Sequence, residues 1–151
     1  MPRKKSSSEQ PDMFNLEDRL STAVCVPAIR SAFKLWRDGG YKGVTSATRE
    51  LLNFWFLTDH QLSNGATFKF HDAQREAIET IIYIYEVEKV RRRNDLLEKY
   101  GANVPELRLP PYDDFARYGV KMATGSGKTL VMAMAIVWQF ANYIRGEKDY
   151  A

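Results

Sequence analysis

The chain has 151 residues, 44% of them hydrophobic and 13% aromatic, which excludes disorder of the whole chain. Its formal charge of +3 allows nucleic-acid binding without arguing for it, and its single cysteine, Cys25, excludes an internal disulfide. No signal-peptide pattern and no apolar run of about 18 residues is present. We therefore expect a cytoplasmic protein without membrane contact.

Composition and periodicity divide the sequence into four parts. Residues 1–13 are polar, charged and serine-rich, which predicts a disordered tail. Residues 14–100 carry apolar side chains at the helical period and predict a helical region. Residues 101–117 contain three prolines and predict an irregular connection. Residues 118–151 combine a short strand pattern, a glycine loop and an apolar helix.

Three helices are predicted in the helical region. The first opens at Pro27 and stops at Gly39–Gly40, where a left-handed cap is expected. The second has Ser46 as its N-cap. The third is long, with Asp72 as its cap and Gly101 as its end. Apolar side chains on one face of each helix predict the core: Ile29, Ala32, Phe33, Trp36, Leu51, Leu52, Trp55, Ile78, Ile81, Ile82 and Tyr85.

The last part begins with a predicted strand at Tyr118–Met122 and ends with a predicted helix at Leu130–Tyr143. That helix is apolar on nearly every face, and such helices are normally buried on two sides. One strand cannot cover it. If the chain stops at Ala151, we expect low stability and an exposed apolar helix face.

Residues Thr124–Thr129 read Thr-Gly-Ser-Gly-Lys-Thr between the predicted strand and helix, which is the context of a phosphate-binding P-loop. Gly125 and Gly127 allow backbone angles that let successive N–H groups cradle an anion. Lys128 can reach the β- and γ-phosphates of a nucleotide, and the Thr129 hydroxyl can bind Mg²⁺. Lys128 and Thr129 are therefore the candidate catalytic residues, and Thr129 is the candidate metal ligand.

The loop departs from the general P-loop pattern at Met122, where that pattern has glycine. We expect Thr124 and Ser126 to shape the loop as part of the nucleotide-binding set, and the spacing does not decide their individual roles. The variant that lacks the first glycine is common among helicases, so Ala123–Thr129 resembles motif I of superfamily-two helicases. The alternative, a glycine turn with an incidental lysine, is disfavoured by the predicted strand and helix on either side.

The resemblance continues upstream of the loop. Phe68–Ile78 is similar to the glutamine-containing segment that precedes motif I in that superfamily. More narrowly, residues 26–145 resemble DEAD/DEAH-type proteins related to the type III restriction Res subunit. The resemblance rests on Val26–Arg30 with Trp36–Arg37, Gly43–Thr45, Leu51–Phe56, the stretch from Gln74 to Tyr85, and Lys121–Thr129.

This resemblance implies an α/β fold, with the helical region followed by the incomplete start of a RecA-like P-loop NTPase lobe. It implies ATP and Mg²⁺ as cofactors and Gln74 as the residue that reads adenine, since an amide can pair with adenine N6–H and N7. The family usually has arginine at the position of His71, which leaves the role of that position open.

In the intact protein the resemblance implies a DNA helicase or translocase of restriction or phage-defence type, with DNA and further subunits as partners. The residues after Thr129 include no acidic residue at the end of an apolar strand, which hydrolysis requires. We therefore expect residues 1–151 alone to bind ATP weakly or not at all, without turnover. Two alternatives stay open: another P-loop NTPase, or a truncated, non-catalytic remnant that binds nucleotide or DNA.

Overall fold

A computed structural model describes residues 25–101 and 118–150. The predicted tail, residues 14–24 of the helical region and nearly all of the proline-containing connection lie outside the described residues. The elements in chain order are helix α1 (Cys25–Asp38), helix α2 (Ser46–Leu57), strands β1 (His60–Gln61) and β2 (Thr67–Phe68), helix α3 (Asp72–Ile82), a π-helical turn (Tyr83–Val87), helix α4 (Arg93–Tyr100), helix α5 (Lys128–Ile144) and a 3₁₀ turn (Lys148–Tyr150).

Helix α1 confirms the first predicted stripe. Ile29, Phe33 and Trp36 are buried on one side of the helix. The Gly39 N–H donates to the Leu35 carbonyl at 2.9 Å, and the next glycine is left-handed with φ of 78°. The helix is already formed at Cys25, so the predicted opening at Pro27 is wrong by at least two residues.

The predicted N-caps of α2 and α3 are each wrong by one residue. Thr45 caps α2, and its hydroxyl oxygen accepts a hydrogen bond from the Thr48 N–H at 3.2 Å. His71 holds the cap position of α3. Ser46 and Asp72 are already the first helical residues, whereas the two cap residues have extended backbone angles, as an N-cap requires.

The long third helix is not continuous. After α3 the chain makes a π-helical turn, in which the Glu88 N–H donates to the Tyr83 carbonyl at 2.9 Å. Lys89 then takes a left-handed conformation with φ of 54°, and this turn buries Val90 in the core. Helix α4 ends at Gly101 as predicted, although that glycine is not left-handed.

The predicted strand at Tyr118–Met122 is not formed within the described residues. The sheet that they contain is a two-stranded antiparallel hairpin of β1 and β2, in which His60 pairs with Phe68 and Gln61 pairs with Thr67. A strand needs a hydrogen-bonded neighbour, and no described strand pairs with residues 118–122. The α/β expectation is therefore met only in part: the described residues are mostly helical with one small two-stranded sheet, and they do not contain a complete RecA-like lobe.

Helix α5 confirms the expected exposed apolar face. Its buried side is narrow and consists of Val131, Met134, Trp138 and Asn142. Six large apolar side chains on its other sides are exposed: Met132, Ile136, Val137, Phe140, Tyr143 and Ile144. None of the helices in the described ranges is long and apolar enough to cross a membrane.

Candidate functional site

The glycine loop has the backbone that its sequence predicts. Gly125 and Gly127 are both left-handed, with φ of 79° and 81°. The Ser126 hydroxyl donates to the Ala123 carbonyl at 2.7 Å, which closes the loop on itself. Gly127 is the N-cap of α5, so the loop leads directly into the start of that helix. Thr124 is exposed.

The two candidate catalytic residues form the first turn of α5. Lys128 and Thr129 are both exposed. The Lys128 ammonium donates to the carbonyl oxygens of Met122 and Ala123, at 3.2 and 3.0 Å, and therefore lies folded over its own loop. Because both acceptors are neutral and the side chain is exposed, the ammonium can leave them for a phosphate oxygen at little cost.

Gln74 is brought directly onto the loop. Its side chain is only 5% exposed, and its amide nitrogen donates to the Ser126 carbonyl at 3.1 Å. Its amide oxygen accepts from the His71 N–H at 3.0 Å. A Cβ atom on Gly127 would overlap with the Gln74 amide nitrogen. The side chain therefore links the start of α3 to the loop, with one amide hydrogen left to donate.

A buried carboxylate that the sequence interpretation missed holds the start of α3 against α1. Glu79 is fully buried and accepts hydrogen bonds from Tyr41 at 2.5 Å, Arg37 at 2.6 Å and Arg75 at 2.8 Å. Burial, and then the hydrogen bond to Glu79, raise the pKa of Tyr41 to about 12. The signal in the sequence was an acidic residue on the apolar face of α3, four residues after Arg75.

An open groove of about 710 Å³ lies beside the loop. Its walls come from α1, α3, α4 and the segment before the loop, and they include Ile29, Phe33, Ala77, Ile81, Val120 and Met122. The described residues contain no cluster of three or more histidine, cysteine or acidic side chains that could hold a metal ion. The groove is a mainly apolar surface next to the loop.

Comparison with protein families matches residues 67–147 to the family described as type III restriction enzyme, res subunit. No curated protein and no solved structure shows significant similarity to the chain. The matched region covers more than half of the sequence and contains both Gln74 and Thr124–Thr129, while the earlier pieces of the resemblance, before residue 67, lie outside it. The chain therefore belongs to the type III restriction enzyme res subunit family.

Proposed function

We propose that Thr124–Thr129 binds the phosphates of ATP together with Mg²⁺, as the nucleotide site of a DNA helicase or translocase of restriction or phage-defence type. The observation that carries this proposal is the contact of Gln74 with Ser126 and Gly127, which joins two segments 52 residues apart in sequence. In an incidental glycine turn, we would not expect a buried side-chain amide to donate a hydrogen bond to the turn backbone.

The residues of the loop fit a nucleotide phosphate. The two left-handed glycines bend the backbone as an anion cradle requires, and the N-terminus of α5 adds its positive dipole. Lys128 would turn from the Met122 and Ala123 carbonyls to the phosphate oxygens, and the Thr129 hydroxyl would contact Mg²⁺. When bound, the ion would supply positive charge that neutralises the phosphates.

Gln74 can serve the nucleotide in two ways. It already fixes the loop through Ser126, and its remaining amide hydrogen can donate to an adenine acceptor. We propose that both contacts are made at once, and that the amide oxygen uses its second lone pair to accept from the adenine N6–H. Guanine has the acceptor O6 in that place, so this arrangement favours ATP over GTP.

Weak binding is best tested on the loop glycines themselves. In protein labelled with ¹⁵N-glycine, we expect ATP with Mg²⁺ to shift the amide signals of Gly125 and Gly127. Lys128→Ala should abolish these shifts, whereas Lys121→Ala, which removes a neighbouring exposed lysine, should preserve them. Shifts that survive in Lys128→Ala, or that are absent at millimolar ATP, would refute the proposed site.

The DNA-dependent part of the proposal concerns a protein that contains these residues together with a second lobe. There we expect ATP hydrolysis to rise on addition of DNA and to disappear with Lys128→Ala. If the rate of ATP hydrolysis is unchanged by DNA but rises with a small phosphoryl acceptor, the protein is another kind of P-loop enzyme.

A further inference from the structure

Glu86 is a second buried carboxyl group, and it lies in the π-helical turn that follows α3, whereas Gln74 lies at the start of that helix. Its side chain is 2% exposed and accepts hydrogen bonds from four donors. The Thr48 and Tyr150 hydroxyls each donate at 2.7 Å, the Trp138 ring N–H donates at 3.1 Å, and the Thr45 backbone N–H also donates. These donors come from the start of α2, from α5 and from the 3₁₀ turn, so one carboxyl group ties three elements to the π-helical turn.

The spacing of these contacts is matched along the two helices. Glu86 follows Gln74 by 12 residues, and Trp138 follows Ser126 by 12 residues. Each interval is mainly α-helical and contains at least two helical turns, at about 3.6 residues per turn. Helix α3 with its π-helical turn and helix α5 with its loop are therefore hydrogen-bonded to each other at both ends, Gln74 to Ser126 and Glu86 to Trp138.

We propose that Glu86 is a positioning residue for the P-loop: by fixing α5 at its far contact, it sets the register in which Gln74 meets Ser126 and Gly127. Apolar packing between the helices is non-directional and tolerates a small slide, whereas hydrogen bonds to a buried carboxyl group have a preferred distance and angle. The geometric part of this inference is independent of nucleotide, and its effect on ATP rests on the function proposed above.

Polar contacts of Asn142, next to the Glu86 cluster, also hold α5 against α2. The Asn142 amide nitrogen donates to the Thr48 hydroxyl oxygen at 3.0 Å and to the Trp138 carbonyl at 2.9 Å. By contrast, Arg145 and Glu50 form an exposed pair that also joins α5 to α2. Exposed pairs of this kind contribute little, so Arg145→Ala, at the C-cap of α5, is a matched control.

The geometric test uses ¹⁵N-glycine spectra without nucleotide. We expect Glu86→Gln to move the Gly125 and Gly127 signals, which lie at the other end of the paired helices, and to leave the hairpin glycine Gly65 in place. Arg145→Ala should leave all three signals unchanged. Tyr150→Phe, which removes a single donor, should move the loop signals in the same direction by less. It also keeps the test valid if Glu86→Gln does not fold. Unchanged loop signals in a folded Glu86→Gln or in Tyr150→Phe would overturn the inference.

The functional test is a double-mutant cycle on ATP affinity, measured from the same glycine signals. We expect Gln74→Ala and Glu86→Gln each to weaken binding several-fold, and the double variant to bind within about twofold of the weaker single variant, since both act through one register. If the double variant instead shows the product of the two single fold-changes in affinity, Glu86 does not act through Gln74 and the inference is overturned. If the unaltered protein binds no ATP, the proposed nucleotide site fails, while the nucleotide-free spectra still decide the positioning role.

Discussion

At the scale of single residues, Gly127 meets two separate constraints. Its φ of 81° disfavours any side chain, and a Cβ atom there would overlap with the Gln74 amide. Gly125 has the same kind of φ, but nothing lies within 4 Å of the position where its Cβ would be. The two glycines of the loop therefore look equivalent in sequence but differ in the structure.

We predict that Gly125→Ala lowers the free energy of unfolding by about 1–2 kcal/mol, the cost of a left-handed alanine. Gly127→Ala should cost more, because the Gln74 amide must also move. When Gln74→Ala is added to Gly127→Ala, the overlap is gone. The extra loss of stability in Gly127→Ala relative to Gly125→Ala should then disappear. Urea unfolding of the four proteins measures this, and equal losses for both single glycine variants would contradict it.

Glu79 carries the second prediction at this scale. Glu79→Ala should lower the free energy of unfolding by about 3 kcal/mol, because it leaves Arg37 and Arg75 without their buried partner. Glu76→Ala removes the exposed pair with Arg30 from the same helix and should cost less than about 1 kcal/mol. Thermal or urea unfolding compares the two, and similar losses would show that the Glu79 network contributes no more than a surface pair.

The site residues could be named from the sequence, but their contacts could not. The P-loop was identified from the residue types that phosphate binding requires, and Gln74 was identified through the resemblance of its segment to the one that precedes motif I in helicases. The sequence did not show that Gln74 touches Ser126, because a contact across 52 residues depends on how α3 packs against α5. Glu79 and Glu86 were not identified as buried, since a glutamate on a helix is normally solvated.

At the scale of elements, helix α5 separates a buried side from an exposed apolar side. Ile136→Lys and Phe140→Lys together change exposed positions, so we predict an unchanged free energy of unfolding and less self-association in light scattering. Met134→Lys changes a buried position of the same helix and should prevent folding. A loss above about 1 kcal/mol in the exposed double variant would mean that this face packs against part of the same chain.

A helix or strand could be predicted from the sequence where its boundaries depend on residues close together in the chain. The apolar stripe of α1 and the glycine stop after it depend on residues close in sequence, and both were predicted. The break after Ile82 was not, because it follows from burying Val90 in the core and the Glu86 carboxyl group beside Trp138 of α5. The strand at Tyr118–Met122 was wrong for a related reason: strand formation depends on a partner, which a local pattern cannot supply.

At the scale of the whole molecule, the core and the site are stabilised by the same long-range contacts. Trp138 is fully buried, and its ring N–H also donates to the Thr48 hydroxyl, 90 residues earlier in the chain. Glu79 in turn links α1 to α3. Because these contacts fix the helices on which Gln74 and the loop lie, loss of the core should disrupt the candidate site in the same transition.

The tyrosines give this molecule a predictable response to alkaline pH. Burial is the main cause that raises the pKa of Tyr41 to about 12, and it also raises the pKa of Tyr83 and Tyr150 above the ordinary value of 10. Between pH 10 and 12 the unfolded chain loses these protons while the folded protein keeps them. Stability is therefore fully present below about pH 10 and falls as the pH rises further.

We predict that the urea midpoint stays constant from pH 8 to 10 and falls between pH 10 and 12, with tyrosinate absorbance rising in the same step as unfolding. Tyr41→Phe should be less stable at pH 8, because Glu79 loses a hydrogen-bond donor, but should show a smaller fall above pH 10. Tyr143→Phe, which alters an exposed tyrosine, should follow the unaltered protein. An equal fall in Tyr41→Phe would show that Tyr41 does not hold its proton more tightly in the folded state, and would place the alkaline sensitivity elsewhere in the core.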